Sequence, residues 1–266
     1  MKYYRGEDGL MHCAVCHKVL AEIMPPFEGW TEPIVATCEC VKARDAAERW
    51  ARAKHMRWVH SKQLPAYHLL NNENFPDWTF ERLDEGNPQA VKVAQAYVAS
   101  WEEKRKTGAG LLLWGSVGTG KTCLAACIVN YLRAREVPCL MTSTVKLIEQ
   151  LMPGAYDGDL IGQLKQFDLL VLDDLGAESK STYAQQQLFN AINDRVETGL
   201  PMIITTNISA KELNTPKDVE QSRIFDRISG ACVPLQFDGS SYRMETRKAN
   251  IADMKADIAA REELTG

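Results

Sequence analysis

Residues 111–122, LLLWGSVGTGKT, decide the fold. Leu111, Leu112, Leu113 and Trp114 form a short apolar run bounded by glycine, as expected of a buried strand. The segment beginning near Lys121 (KTCLAACIVNYLRARE) carries apolar residues at helical spacing. Between them, Gly115 to Thr122 matches G-x-x-x-x-G-K-[ST] without a gap, in the strand–loop–helix context the motif requires. Glycines let the backbone wrap a polyphosphate with its N–H groups, and the helix N-terminus adds a favourable dipole. The candidate ATP-binding residues are therefore Gly115, Ser116, Val117, Gly118, Thr119, Gly120, Lys121, Thr122 and Cys123. Lys121 would reach the β- and γ-phosphates and the Thr122 hydroxyl would ligate Mg²⁺. A Gly-rich turn that happens to carry Lys-Thr is the bland alternative, and the flanking strand and helix argue against it.

Working outward, short apolar runs (PCLMTST, DLLVLDD, PMIITTN, VPLQF) alternate with helical segments from about Pro88 onward. That pattern predicts a three-layer α/β sandwich with a mainly parallel sheet. A helix over 88–106 leads in, and an amphipathic helix after VPLQF closes the unit. Ligands of open α/β sheets bind beyond the carboxyl ends of the strands. At one such end stand Asp173, a candidate Mg²⁺ carboxylate, and Asp174, a candidate to orient or deprotonate water. Two N-cap carboxylates for the next helix would look the same in sequence. Asn207 closes PMIITTN, where an amide can reach the γ-phosphate or the attacking water, or simply close a strand into a turn.

The remainder of the chain has a different character. Four of the eight cysteines fall in the first forty residues, as Cys13-x-x-Cys16 and Cys38-x-Cys40. Two close thiolate pairs suit a tetrahedral Zn²⁺ site, and forty residues with few large aliphatics build little core without one. His12 and His17 flank the first pair and are alternative ligands. A helical run from Val41 to about Gln63 is basic, with seven Lys and Arg from Lys42 to Lys62 against Asp45 and Glu48, and Trp50 and Trp58 interleaved. It is either a solvated linker or a contact for DNA or an acidic partner. The expected domains are 1–64, a zinc-binding helical adaptor; 65–87, a connector; and 88–266, the ATPase domain. A net charge of −4 argues against a general nucleic-acid coat. No signal-peptide core or membrane-length apolar run is present, so a cytoplasmic protein with no membrane contact is expected.

In QSRIFDRISG (221–230), Arg223 and Arg227 lie one turn apart on a short helix that Gly230 is expected to end. Taken alone, such a pair is an ordinary solvated helix face. Together with the phosphate loop, DDLG, IITTN and GSSYR (239–243), however, it resembles AAA+ ATPases of the DnaC/DnaI-type replicative helicase loaders. Related ATPase helpers of transposition share much of this pattern. The resemblance implies an AAA+ P-loop NTPase fold and a hexameric, ring-shaped replicative DNA helicase as partner, held by the N-terminal region. It also implies contact with single-stranded DNA, and self-association through the ATP site. By position, Asn207 becomes sensor 1, Arg227 an arginine finger and Arg243 the sensor-2 arginine. The wider AAA+ pattern places Glu where this chain has Asp174, so slow intrinsic hydrolysis is expected. Two further expectations stand beside the loader: a transposition helper, and a zinc-dependent nucleic-acid-binding adaptor whose ATP site does not turn over.

Overall fold

The computed structural model describes residues 2–23, 34–72, 76–83, 88–177, 181–216, 218–238 and 254. The chain divides between Met56 and Arg57 into two compact units. In the first, β1 (Tyr3–Arg5) and β2 (Met11–Cys13) form an antiparallel hairpin, and β3 (Glu22–Ile23) pairs with β4 (Ile34–Val35). Helix α1 (Glu39–Gln63) begins here, with Val41 buried and Asp45 ion-paired to Lys2 at 2.7 Å.

The second unit takes in the end of α1 and continues with α2 (Pro65–Leu70), a 3-10 turn at Phe80–Arg82, α3 (Pro88–Ala99) and α4 (Trp101–Thr107). Then follow β5 (Gly110–Gly115), α5 (Lys121–Arg133), β6 (Cys139–Ser143), α6 (Thr144–Leu151), α7 (Leu160–Leu164) and β7 (Leu169–Leu175). Helix α8 (Thr182–Glu197), β8 (Met202–Thr206), α9 (Ala210–Asn214), α10 (Val219–Ala231) and β9 (Cys232–Phe237) complete it. Strands β5 to β9 form one parallel sheet in the order β6-β7-β8-β5-β9.

Because side chains alternate along a strand, this sheet feeds two cores. Leu112, Leu140, Leu170, Leu172 and Ile204 point to one side, where α2, α6, α7, α8 and α10 cover them. Leu111, Leu113, Met141, Val171 and Ile203 point to the other, under α3, α4 and α5. Strands buried on both faces read as continuous apolar runs, which is why four residues sufficed to mark β5.

Three details differ from the sequence expectation. The helix predicted over 88–106 is two helices, broken after Ala99. Residues 65–70, placed by sequence in a connector, form α2, whose Ala66 and Leu70 are fully buried; the Asn72 N–H then bonds the Met141 carbonyl at 2.7 Å, on the outer edge of β6. Gly230 does not end its helix, since α10 continues to Ala231. Its backbone lies outside the left-handed region that makes glycine a helix stop. Arg243 and all of the expected closing helix except Met254 lie outside the described residues.

Candidate nucleotide site and cysteine cluster

The sheet order puts β7, β8 and β5 side by side, so the strand ends carrying Asp173 and Asp174, Asn207 and the phosphate loop are neighbours. Gly115, Gly118 and Gly120 all have positive φ, at 138°, 82° and 95°, and turn successive N–H groups into one concavity. A Cβ at Gly115 would collide with the Phe237 carbonyl of β9, so glycine is required there. Gly120 is the N-cap of α5, and the buried Lys121 amine donates to the Gly115 and Ser116 carbonyls at 2.9 and 2.6 Å. Thr119 closes the loop with a 2.8 Å bond to Ser116 O. Val117, at the tip, is exposed, and Cys123 follows in the first turn of α5, half-buried.

Thr122 donates its hydroxyl to Asp173 Oδ1 at 2.9 Å. Burial raises the Asp173 carboxyl above its ordinary value, against the lowering effect of the hydroxyls of Thr205 and Thr122. A hydroxyl and a carboxylate at the mouth of a phosphate loop are hard oxygen donors of the kind Mg²⁺ takes, and the N–H concavity suits a polyphosphate. The residues present therefore fit Mg-ATP.

Asp174 sits in a β-bulge. Leu172 pairs with Ile204 and Leu175 with Thr206, leaving Asp173 and Asp174 opposite the single residue Thr205. Asp174 has φ 58°, unusual for a residue with a Cβ, and its side chain is exposed beyond the sheet. Asn207 Nδ2 lies 3.5 Å from Asp174 Oδ1. The two carboxylates are not helix caps, since Ser181 caps α8.

Arg223 and Arg227 project from α10 into solvent, while Ile224, Phe225 and Ile228 hold that helix to the core. Arg223 is paired to Glu220 at 3.4 Å. Arg227 is exposed and has no hydrogen-bond or ion-pair partner among the described residues. Sequence reasoning missed Thr205 and Thr144, whose hydroxyls hold the bulge, because a Thr within an apolar strand or at a helix start announces no such role.

In the first unit the Sγ atoms of Cys13, Cys16, Cys38 and Cys40 all lie within 4.8 Å of one another. Cys13–Cys40, Cys16–Cys38 and Cys38–Cys40 are 3.4, 3.5 and 3.4 Å apart. Four sulfurs at about 2.3 Å from one metal stand roughly 3.8 Å apart, so this cluster could hold an ion. The backbone N–H groups of Cys16 and Val15 bring the Cys13 thiol down to about 6. The neighbouring thiols of Cys13 and Cys38 push Cys40 up to about 12. His12 and His17 do not join the four: His12 bonds the His17 carbonyl and Asp8, and His17 Nδ1 bonds the Tyr4 hydroxyl. Cys127, Cys139 and Cys232 are buried in the second unit.

A family profile described as IstB-like ATP binding protein matches residues 37–250. The chain belongs to this family. The replicative helicase loader DnaI of Bacillus subtilis (strain 168) is 27% identical to this chain over 181 residues. That match covers 62% of this chain and 58% of DnaI, less than two thirds of its length. The replicative helicase loader DnaC of Escherichia coli (strain K12) is 28% identical over 233 residues, 84% of this chain and 90% of DnaC. An ATP-binding protein in an insertion sequence of Mycobacterium tuberculosis is 27% identical over 145 residues, 53% of this chain and 58% of that protein. A DnaI crystal structure, 28% identical, superposes with a TM-score of 0.54 over 63% of this chain and 94% of its own. The IstB-like chain thus has the AAA+ P-loop fold. No helix among its described residues is long and apolar enough to cross a membrane.

Proposed function

We propose that this IstB-like chain is a cytoplasmic, ATP-dependent loader that delivers a ring-shaped, hexameric replicative DNA helicase onto single-stranded DNA, with ATP hydrolysis as a switch. One observation carries the reading. Lys121, Thr122, Asp173, Asp174 and Asn207 meet at adjacent strand ends, in a chain whose relatives DnaI and DnaC are replicative helicase loaders.

In this reading the loop N–H groups and Lys121 bind the phosphates, and Thr122 and Asp173 would hold Mg²⁺, which would supply charge neutralisation for phosphoryl transfer. Asp174 orients or deprotonates the attacking water. Asn207 steadies the Asp174 carboxylate and reaches the γ-phosphate side of the crevice. Arg227, exposed on α10, is the arginine given to a neighbouring copy's ATP, and Arg243 is the sensor-2 cation of its own. Aspartate's short arm at 174 suits slow turnover that quickens with DNA or a partner. Cys13, Cys16, Cys38 and Cys40 hold one Zn²⁺, and residues 1–64 engage the helicase. Residues 88–266 form the motor, and the 65–87 connector joins the two with its α2 packed into the motor's core.

The test is a pull-down of hexameric replicative helicase that depends on residues 1–64, paired with DNA-stimulated ATPase activity lost in Lys121→Ala. Failure of both sinks the proposal. A second reading is favoured by the family's own description and the insertion-sequence relative: a transposition helper. Capture of a transposase in place of the helicase would select it. ATP bound without turnover at saturating single-stranded DNA would instead select a static adaptor.

A further inference from the structure

We propose that Thr205 is a positioning residue for ATP hydrolysis: its hydroxyl fixes both the Asp173 carboxylate and the bulged backbone of Asp174. This rests on reading the site as an ATPase centre, and it gives a role to a side chain inside IITTN to which the sequence reading assigned none.

The argument begins with the sheet. Strands β7 and β8 run parallel, and between the pairs Leu172–Ile204 and Leu175–Thr206 two residues of β7 face one of β8. A bulge of this kind interrupts the ladder, and it is rare between parallel strands. Its extra residue leaves backbone groups without a ladder partner, which is costly unless something else bonds them. Here side-chain hydroxyls do so. The Asp174 N–H donates to Thr205 Oγ1 at 3.0 Å, and the Asp174 carbonyl accepts from Thr144 Oγ1, also at 3.0 Å. Thr205 and Thr144 are both fully buried.

The direction of the Thr205 hydroxyl follows from its partners. A backbone N–H can only donate, so Thr205 Oγ1 accepts from Asp174. Its single hydrogen then goes to Asp173 Oδ1, 2.6 Å away. Such a short bond to a carboxylate oxygen is a charge-assisted one. One hydroxyl therefore ties together the carboxylate assigned to the metal ion and the main chain that aims the carboxylate assigned to water. Thr122 shares the same Asp173 oxygen, and in the proposed function its own oxygen turns to the metal. Thr205 is then the side-chain donor that keeps Asp173 in place.

Two features make this more than core packing. Thr205 stands in β8 two residues before Asn207, which directly follows the strand, so one segment delivers both the support under the carboxylates and the amide beside Asp174. Asp174 also keeps a positive φ that only surrounding contacts can enforce at a residue with a Cβ. With valine at 205 the shape remains, but the donor to Asp173 and the acceptor for Asp174 N–H are gone.

The experiment uses full-length protein with Thr205→Val, Thr205→Ser and a control, Thr142→Val, a fully buried threonine in β6. Steady-state ATPase, ATP affinity with and without Mg²⁺, and thermal unfolding are measured on each. Loss of a partner that orients a metal ligand lowers activity or metal affinity by roughly 10- to 100-fold. Thr205→Val should lower kcat by that factor and raise the Mg²⁺ concentration for half-maximal ATP binding by a similar one. Its affinity for ATP without Mg²⁺ should stay at the wild-type value. Thr205→Ser should recover most of both, and Thr142→Val should change neither. Wild-type kcat and Mg²⁺ dependence in Thr205→Val would overturn the inference. So would a loss that serine fails to rescue and that follows the fall in melting temperature. If wild-type protein binds Mg-ATP but never hydrolyses it, the functional reading fails on that control, and the Mg²⁺ dependence of ATP binding still decides for or against Thr205.

Discussion

Replacing Arg195 by Met should destabilise the larger unit far more than a single hydrogen bond would. Arg195 is 2% exposed on α8, and its guanidinium gives five N–H···O contacts to four backbone carbonyls. Leu164 O and Phe167 O accept at 3.2 and 2.7 Å, Asp168 O at 2.8 Å, and Pro201 O at 3.3 and 2.8 Å. These carbonyls stand just before β7 and β8, so one cation holds the roots of the strands whose far ends carry Asp173 and Asn207. Burial lowers the Arg195 guanidinium only to about 10, so it is charged at neutral pH. Methionine keeps the stem's bulk and strips the donors, which leaves buried acceptors and costs about 3–5 kcal/mol. For a unit of this size each kcal/mol moves the melting temperature by about 2–4 °C, so a fall of roughly 10 °C is expected. Calorimetry on both full-length proteins, at one pH and salt, reads it directly. Lysine should fall between, since one ammonium reaches fewer of the carbonyls. A drop under about 2 °C for Arg195→Met, less than about 1 kcal/mol, would refute this account of how the strand roots are held.

The site predictions are more local. Asp174→Asn should keep ATP affinity and lower kcat by about 10²–10⁴, the usual weight of a positioned general base; unchanged turnover removes Asp174 from that role. Arg227→Ala should bind ATP normally and lose about 10³-fold in hydrolysis. Mixed with Lys121→Ala, it should regain part of that activity, because each variant supplies what the other lacks; no recovery at any ratio argues against a finger acting in trans. Elemental analysis should find about one zinc per chain, and Cys38→Ser should reduce it sharply. Full occupancy in the serine variant would take the metal away from this cluster.

What could be read from the sequence follows from how far each signal reaches along the chain. The phosphate loop is contiguous, and its context needs only the neighbouring strand and helix, so Gly115 to Thr122 were legible with their geometry. The three layers were legible because two-sided burial writes itself as unbroken apolar runs, in LLLW as in LLVL. The four cysteines were legible as a set because thiol pairs at short spacing have few other uses in a chain read as cytoplasmic. The bulge at Asp173 and Asp174 was not. A two-against-one pairing depends on where β8 lies relative to β7, and DLLVLDD reads identically with or without it. Arg195 was hidden for a related reason. In sequence it is one cation in the polar last turn of an amphipathic helix, and only the fold brings the ends of α7, β7 and β8 around it. Gly230 was misread because glycine marks a helix end only where the chain needs positive φ, and α10 passes through it with ordinary helical geometry. Arg227 was legible as a charge, and its solvent-facing position on α10, with no ion-pair partner among the described residues, suits a solvated face and a cation for a neighbouring copy alike. A cation that a helix holds outward, its opposite face locked in the core by Ile224, Phe225 and Ile228, is positioned at a defined height above the sheet. That fixed height is what a residue needs if it is to serve a site the single chain does not contain.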